Sequence, residues 1–153
     1  MADARTRDST RIQDRLGWRL VVAGRIVRTM ADEMLAEHGV GGQALGVILR
    51  LAEEDGLTQV ELARRQRVEA PTMCRMVDRL EGTGLVARER HPDDRRALRI
   101  VLTARGRDLA RQGLEAVEQL EELAFGSLEP AERATLSMLL GRVLDSLPMG
   151  ERG

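Results

Sequence analysis

Gly84-Leu85-Val86-Ala87-Arg88-Glu89-Arg90-His91-Pro92-Asp93-Asp94-Arg95-Arg96-Ala97-Leu98-Arg99-Ile100-Val101-Leu102-Thr103 is the stretch on which the fold turns. Two short apolar runs, Leu85-Val86 and Leu98 to Leu102, flank a polar tip, Pro92-Asp93-Asp94-Arg95-Arg96. Strand-forming runs on either side of a turn-forming segment predict a β-hairpin, here one whose tip carries arginines.

What precedes the hairpin gives it a place. Thr58-Gln59-Val60-Glu61 is a capping box, in which the Thr58 hydroxyl takes the Glu61 amide proton and the Glu61 carboxylate returns to the Thr58 amide. The short helix so started holds Leu62 and Ala63 and ends near Gln66. After a turn, Pro71 enters the first turn of a second helix, where its missing N–H costs little. That helix runs from Ala70 to Glu81 with Met73, Met76, Val77 and Leu80 as its inward stripe, and Gly82 and Gly84 stop it. Two short helices joined by a tight turn are a helix-turn-helix. A hairpin directly after one is the wing of a winged helix. The predicted fold class is mainly α with a small β-hairpin wing.

Outward from this lobe, a long helix is predicted from Arg11 to His38, with Leu16, Leu20, Ala23, Val27, Met30 and Met34 forming one narrow apolar stripe. Gly39 and Gly41-Gly42 end it, and a second helix spans Gln43 to Glu54, with Leu45, Ile48, Leu49 and Leu51 apolar. Beyond the hairpin, Thr103 is an N-cap for a helix to Phe125, and a last helix runs from Pro130 to Leu147. The ends, Met1 to Ser9 and Gly150 to Gly153, have the composition of disordered tails. The chain is thus a single domain over 1–153. The winged lobe covers 43–102, and the helices at 11–38 and 103–147 are more apolar than that lobe needs. They are best explained as a dimerisation layer.

The chain has 153 residues and a formal net charge of −1. Between Leu57 and Arg105 there are 11 arginines against 7 carboxylates, so the middle is basic and the ends acidic. Such a distribution suits local contact with a polyanion. The chain contains no Lys, Asn or Tyr, so its cations are planar, bidentate donors. One Cys excludes an internal disulfide and, with no apolar stretch of membrane-spanning length and no apolar leader, points to the cytoplasm. Neither His38 nor His91 lies in a nucleophile or metal motif, and Gly39 to Gly42 has no phosphate-binding Lys. The reading is therefore of a non-enzyme that needs no metal or cofactor.

Several stretches resemble the MarR (multiple antibiotic resistance regulator) family of transcription factors. They are Leu57-Thr58-Gln59-Val60-Glu61-Leu62-Ala63, Pro71-Thr72, Arg75-Met76-Val77-Asp78-Arg79-Leu80-Glu81, Gly84-Leu85-Val86, Asp94-Arg95-Arg96 and Leu102-Thr103-Ala104-Arg105-Gly106. The likeness extends over about residues 12–147. It implies a homodimer whose first and last two helices interlock and whose two winged lobes sit on a palindromic operator in double-stranded DNA. It also implies a repressor that a small anionic or aromatic effector releases.

On this reading the helix from Ala70 enters the major groove N-terminus first. Thr72 and Arg75, taken to face away from Met76 and Leu80, contact DNA, with Arg75 bidentate to guanine. Met73 and Cys74 fall on the same reading stretch, and Arg79 is a phosphate clamp or the partner of a nearby acid. Thr58, at a helix N-terminus, suits a phosphate as well as a cap. At the wing, Asp94 orients the Arg96 guanidinium into the minor groove while Arg95 takes phosphate. The chain departs from the family pattern at Glu69, where a small polar cap is common, and at Cys74, where Thr or Ser is common. Cys74 admits a redox role, but an inert, partly buried side chain is the better reading. An effector pocket is expected between the dimer layer and the winged lobe, with Trp18, Arg28 and His38 as candidate lining residues. The rival is a winged-helix protein-interaction module that does not bind DNA, and arginines at 75, 95 and 96 argue against it.

Overall fold

The computed structural model describes residues 11–94 and 96–147. Both predicted tails and Arg95 lie outside the described residues. The elements in chain order are α1 (Leu16–Leu35), α2 (Gly42–Glu53), β1 (Leu57–Thr58), α3 (Gln59–Gln66), α4 (Ala70–Gly82), β2 (Val86–Arg90), β3 (Leu98–Leu102), α5 (Ala104–Phe125) and α6 (Pro130–Ser146).

The observed helix is shorter than the predicted span from Arg11 to His38 and matches the extent of its apolar stripe, Leu16 to Met34. Arg15 is extended, at φ −77° and ψ 133°, so α1 starts at Leu16 after a separate 3-10 turn, Ile12–Asp14. At the other end the chain tightens into a second 3-10 turn, Ala36–His38, and leaves it through Gly39 in the left-handed region at φ 69°. The α2 N-terminus is then capped from α1, because the Gly42 amide donates to Asp32 Oδ1 at 2.8 Å. This contact joins the outer helix to the winged lobe.

The core lies in the lobe. Its buried side chains run from Val40, Val47, Ile48 and Leu51, through Leu62, Met73, Val77 and Leu80, to Leu85, Val86, Ile100, Leu102 and Leu109. The Thr58 capping box forms as predicted: Thr58 Oγ1 accepts from the Glu61 amide at 3.3 Å, and the Thr58 amide donates to Glu61 Oε2 at 2.7 Å. Glu61 is held below the usual glutamate range, first by the Thr58 backbone hydrogen bond and then by its hydroxyl. The turn from α3 to α4 passes through Arg67 in the left-handed region at φ 52°. The Arg67 side chain holds Asp145 Oδ1 at 2.9 Å and the Leu144 carbonyl, tying that turn to the end of α6.

The hairpin is present, and it belongs to a three-stranded antiparallel sheet in the order β1-β3-β2. The extra strand, absent from the sequence reading, pairs Leu57 with Ile100 and Thr58 with Arg99. Two residues are too few to show a period of two, and the ladder partner lies some forty positions away in sequence. Strand β2 also extends past its apolar run to Arg90, pairing Val86 with Leu102 and Glu89 with Arg99. At the foot of the hairpin Thr103 caps α5, accepting from the Gly106 amide at 3.0 Å and donating to the Gly84 carbonyl at 2.7 Å.

The outer helices are different. Only Leu35 of α1 is buried, and α6 has no buried residue. Among the described residues, no helix is long and apolar enough to cross a membrane.

Candidate nucleic-acid interface

Helix α4 is anchored by Met73, Val77 and Leu80, which are almost wholly buried. With one face fixed in the core, Pro71, Arg75, Asp78 and Gly82, spaced at four and three, form an exposed ridge along the other. Arg75 sits in the middle of that ridge. Met73 does not belong to the interface: at 0 % exposure it is a core side chain, and its place beside Thr72 in the sequence says nothing about reach, because adjacent helical residues point 100° apart.

Of the two residues expected opposite Met76 and Leu80, Arg75 lies on the outward ridge, but Thr72 lies beside Met76. Thr72, Arg75, Met76, Arg79 and Leu80 all line one cleft, as an i, i+4 pair such as Thr72 and Met76 must share a side. The cleft, of about 420 Å³, lies between α4, the start of α2 and α1, whose Arg28 and Asp32 form the far wall. It is where an effector pocket was expected. Arg28 lines it; Trp18 and His38 do not. Trp18 lies ten residues from Arg28, about 15 Å along α1, and is 45 % exposed. Thr72 is half-buried at the cleft edge, and Arg79 is exposed with no ion pair among the described residues.

Cys74 is half-buried and directs its thiol toward Asp78 Oδ2 at 3.7 Å. An acceptor carboxylate is the reverse of the cationic surroundings that mark reactive cysteines. The Glu69 side chain makes no capping hydrogen bond; its carbonyl accepts from the Met73 amide at 3.0 Å, and Pro71 sits in the first turn of α4. Thr58 is fully engaged as a cap, because its hydroxyl also donates to Glu61 Oε2 at 2.7 Å. A phosphate at the α3 N-terminus would meet the neighbouring amides rather than this hydroxyl.

At the wing tip Asp94 acts differently from its predicted role. Its carboxylate accepts from the backbone amide of Arg96 at 2.9 Å, and its carbonyl accepts from the Ala97 amide at 3.0 Å. Asp94 therefore shapes the turn, as Asp does when it bonds the amide two residues on, and leaves the Arg96 side chain exposed.

One residue that the sequence reading passed over joins the two halves of this surface. Arg88, half-buried in the middle of β2, bonds Asp78 Oδ1 at 2.5 Å, Glu81 Oε2, and Gln59 Oε1 at 3.4 Å. Burial opposes its charge, but the bonds to Asp78 and Glu81 prevail, and its pKa is raised. The available signal was acids three apart on α4 ahead of an Arg alternating with Val86 on a strand.

A helix-turn-helix whose second helix presents an exposed arginine, followed by a hairpin with an exposed arginine at its tip, defines a winged-helix DNA-binding protein. The comparisons agree. Residues 38–97 match the sequence model of the MarR family. A putative transcriptional regulatory protein for the hcr operon of Thauera aromatica is 30 % identical over 76 % of this chain and 70 % of its own length. The HTH-type transcriptional repressor NicR of Pseudomonas putida is 34 % identical over 58 % of the chain, and the match spans 56 % of that repressor. A mutant of Escherichia coli MarR, solved with operator DNA, superposes with a TM-score of 0.78 at 28 % identity, over 84 % of this chain and 93 % of that one. The chain belongs to the MarR family and is a DNA-binding transcriptional regulator.

Proposed function

We propose that two copies of this chain form a cytoplasmic repressor that binds a palindromic operator, α4 of each copy in a major groove and each wing in the adjoining minor groove. The observation that carries this is the pairing of Arg75, exposed at the centre of the α4 ridge, with Arg96, exposed at the tip of a hairpin braced against α4. Arg75 reads base edges, Thr72 and Arg79 contact the flanking backbone, and Arg96 enters the minor groove with Arg95 on phosphate. Kinship with a protein named as a repressor supports the sign of regulation.

The homodimer rests on what the outer helices leave uncovered. Leu16, Leu20 and Ile26 of α1 and Met138, Leu139, Val143 and Leu144 of α6 are all more than 40 % exposed. A soluble chain rarely leaves so many large apolar side chains in water unless a partner covers them. Leu139→Asp with Val143→Asp should sediment as a monomer at concentrations where the wild type is a dimer.

The cleft beneath Arg75 supports an anionic effector, since Arg28, Arg75 and Arg79 converge on it. An occupant would hold two α4 arginines away from DNA and so release the operator. With one Trp, one Phe and no Tyr in the chain, the cleft offers cations and aliphatic surface rather than an aromatic cage.

The deciding experiment is selection of bound sequences from a random duplex pool, followed by a salt titration. A palindrome with half-sites one helical turn apart, and a steep fall of log affinity with log salt, is expected. No enrichment, with binding insensitive to salt, would instead favour the protein-interaction module.

A further inference from the structure

We infer that Arg88 is a positioning residue for operator recognition: it fixes the angle between the wing and α4. The inference rests on the DNA docking proposed above. A wing is a lever. From Val86 at its foot to His91 near its tip the strand spans about 17 Å, so a hinge rotation of about 10° displaces the tip by about 3 Å. That is half the width of a minor groove of about 6 Å. Something must hold the lever.

Core packing holds only its foot. Val86, Ile100 and Leu102 are buried, whereas Glu89, Arg90 and Leu98 further out are exposed. Arg88 lies at the boundary. Its guanidinium spans Asp78 and Glu81 on α4 and reaches Gln59 on α3, and its own amide donates to Glu81 Oε1 at 3.2 Å. One side chain thus braces β2 against both helices of the helix-turn-helix. The guanidinium meets Glu81 and Asp78 through two separate nitrogens held in a rigid fork, whereas an ammonium offers a single nitrogen with freely rotating donors.

The same contacts also neutralise Asp78 on the ridge that faces DNA, so position and charge must be separated. Arg88→Lys keeps the charge and loses the fork. At saturating protein on the selected operator, R88K should keep methylation protection of the major-groove guanines under α4. It should lose hydroxyl-radical protection of the flanking minor groove and bind about tenfold more weakly, within the range of one groove-contacting arginine. The decisive reading is a double-mutant cycle with Arg96→Ala: once the wing is misplaced, removing Arg96 should cost nothing further. Additive losses, or an intact flanking footprint in R88K, overturn the role of Arg88. Should R88K fail to fold, Glu81→Gln, which removes one arm of the brace, is run through the same cycle with the same two outcomes. A wild-type protein that enriches no sequence would overturn the DNA docking itself, so the two failures are distinguishable.

Discussion

Gly106→Ala sets intrinsic propensity against packing, and the two predict opposite signs. Gly106 is in the first turn of α5, where alanine is favoured over glycine by up to about 1 kcal/mol. In the folded chain, however, a Cβ at this position would lie 2.0 Å from the Leu85 carbonyl oxygen and 3.1 Å from Leu102 Cδ2. The oxygen is backbone, so α5 and the foot of the wing must separate by about 1 Å to reach even the closest contacts that real side chains make. Overpacking of this kind costs about 1–3 kcal/mol. The same carbonyl accepts from the Thr103 amide at 3.1 Å, and weakening that bond adds about 1 kcal/mol. With the propensity gain subtracted, the expected loss is about 1–3 kcal/mol. Urea unfolding at fixed protomer concentration measures it, since the stability of a dimer depends on that concentration. Gly82→Ala is the control, because nothing lies within 4 Å of its Cβ, and it should be neutral or slightly stabilising. A G106A variant as stable as the wild type would refute the close approach of α5 to the wing.

The remaining predictions use the same structure. Met73→Ala should cost about 2–5 kcal/mol of stability, as expected for a fully buried side chain, so any loss of DNA binding should vanish once the folded fraction is allowed for. Thr58→Ala should cost about 1 kcal/mol by loss of the cap. Its pH signature follows from Glu61: a depressed folded pKa contributes stability above the unfolded glutamate value, and this is lost as the pH falls through the folded value. The mutant should therefore lose less stability on acidification than the wild type, and an unchanged acid limb of the stability profile would count against the capping box. Arg96→Ala should weaken operator binding by about 1–3 kcal/mol at fixed salt, measured by fluorescence anisotropy; equal affinity would remove the wing from the interface.

Much of the fold was legible because its signals are local. The capping box at Thr58, Pro71 at the start of α4 and Thr103 as the cap of α5 each act within a few residues, and all three sit where the sequence placed them. Non-local features were not legible. The pairing of Leu57 with Ile100 is set by a ladder between distant segments. Similarly, the break at Arg15 between the 3-10 turn and α1 was not read from the sequence, although the apolar stripe itself begins at Leu16.

For the interface the division is sharper. Sequence by itself determined that a helix carrying Arg75 is followed by a hairpin carrying Arg96, because propensity, capping and turn chemistry are encoded residue by residue. Tertiary structure alone decided which side chains are available. It buried Met73, turned the Asp94 carboxylate onto a backbone amide, gathered Arg28, Arg75 and Arg79 around one cleft, and set Arg88 between β2 and α4. Burial and side-chain partnership are properties of the packed surfaces between elements, and those surfaces exist only once the elements have come together.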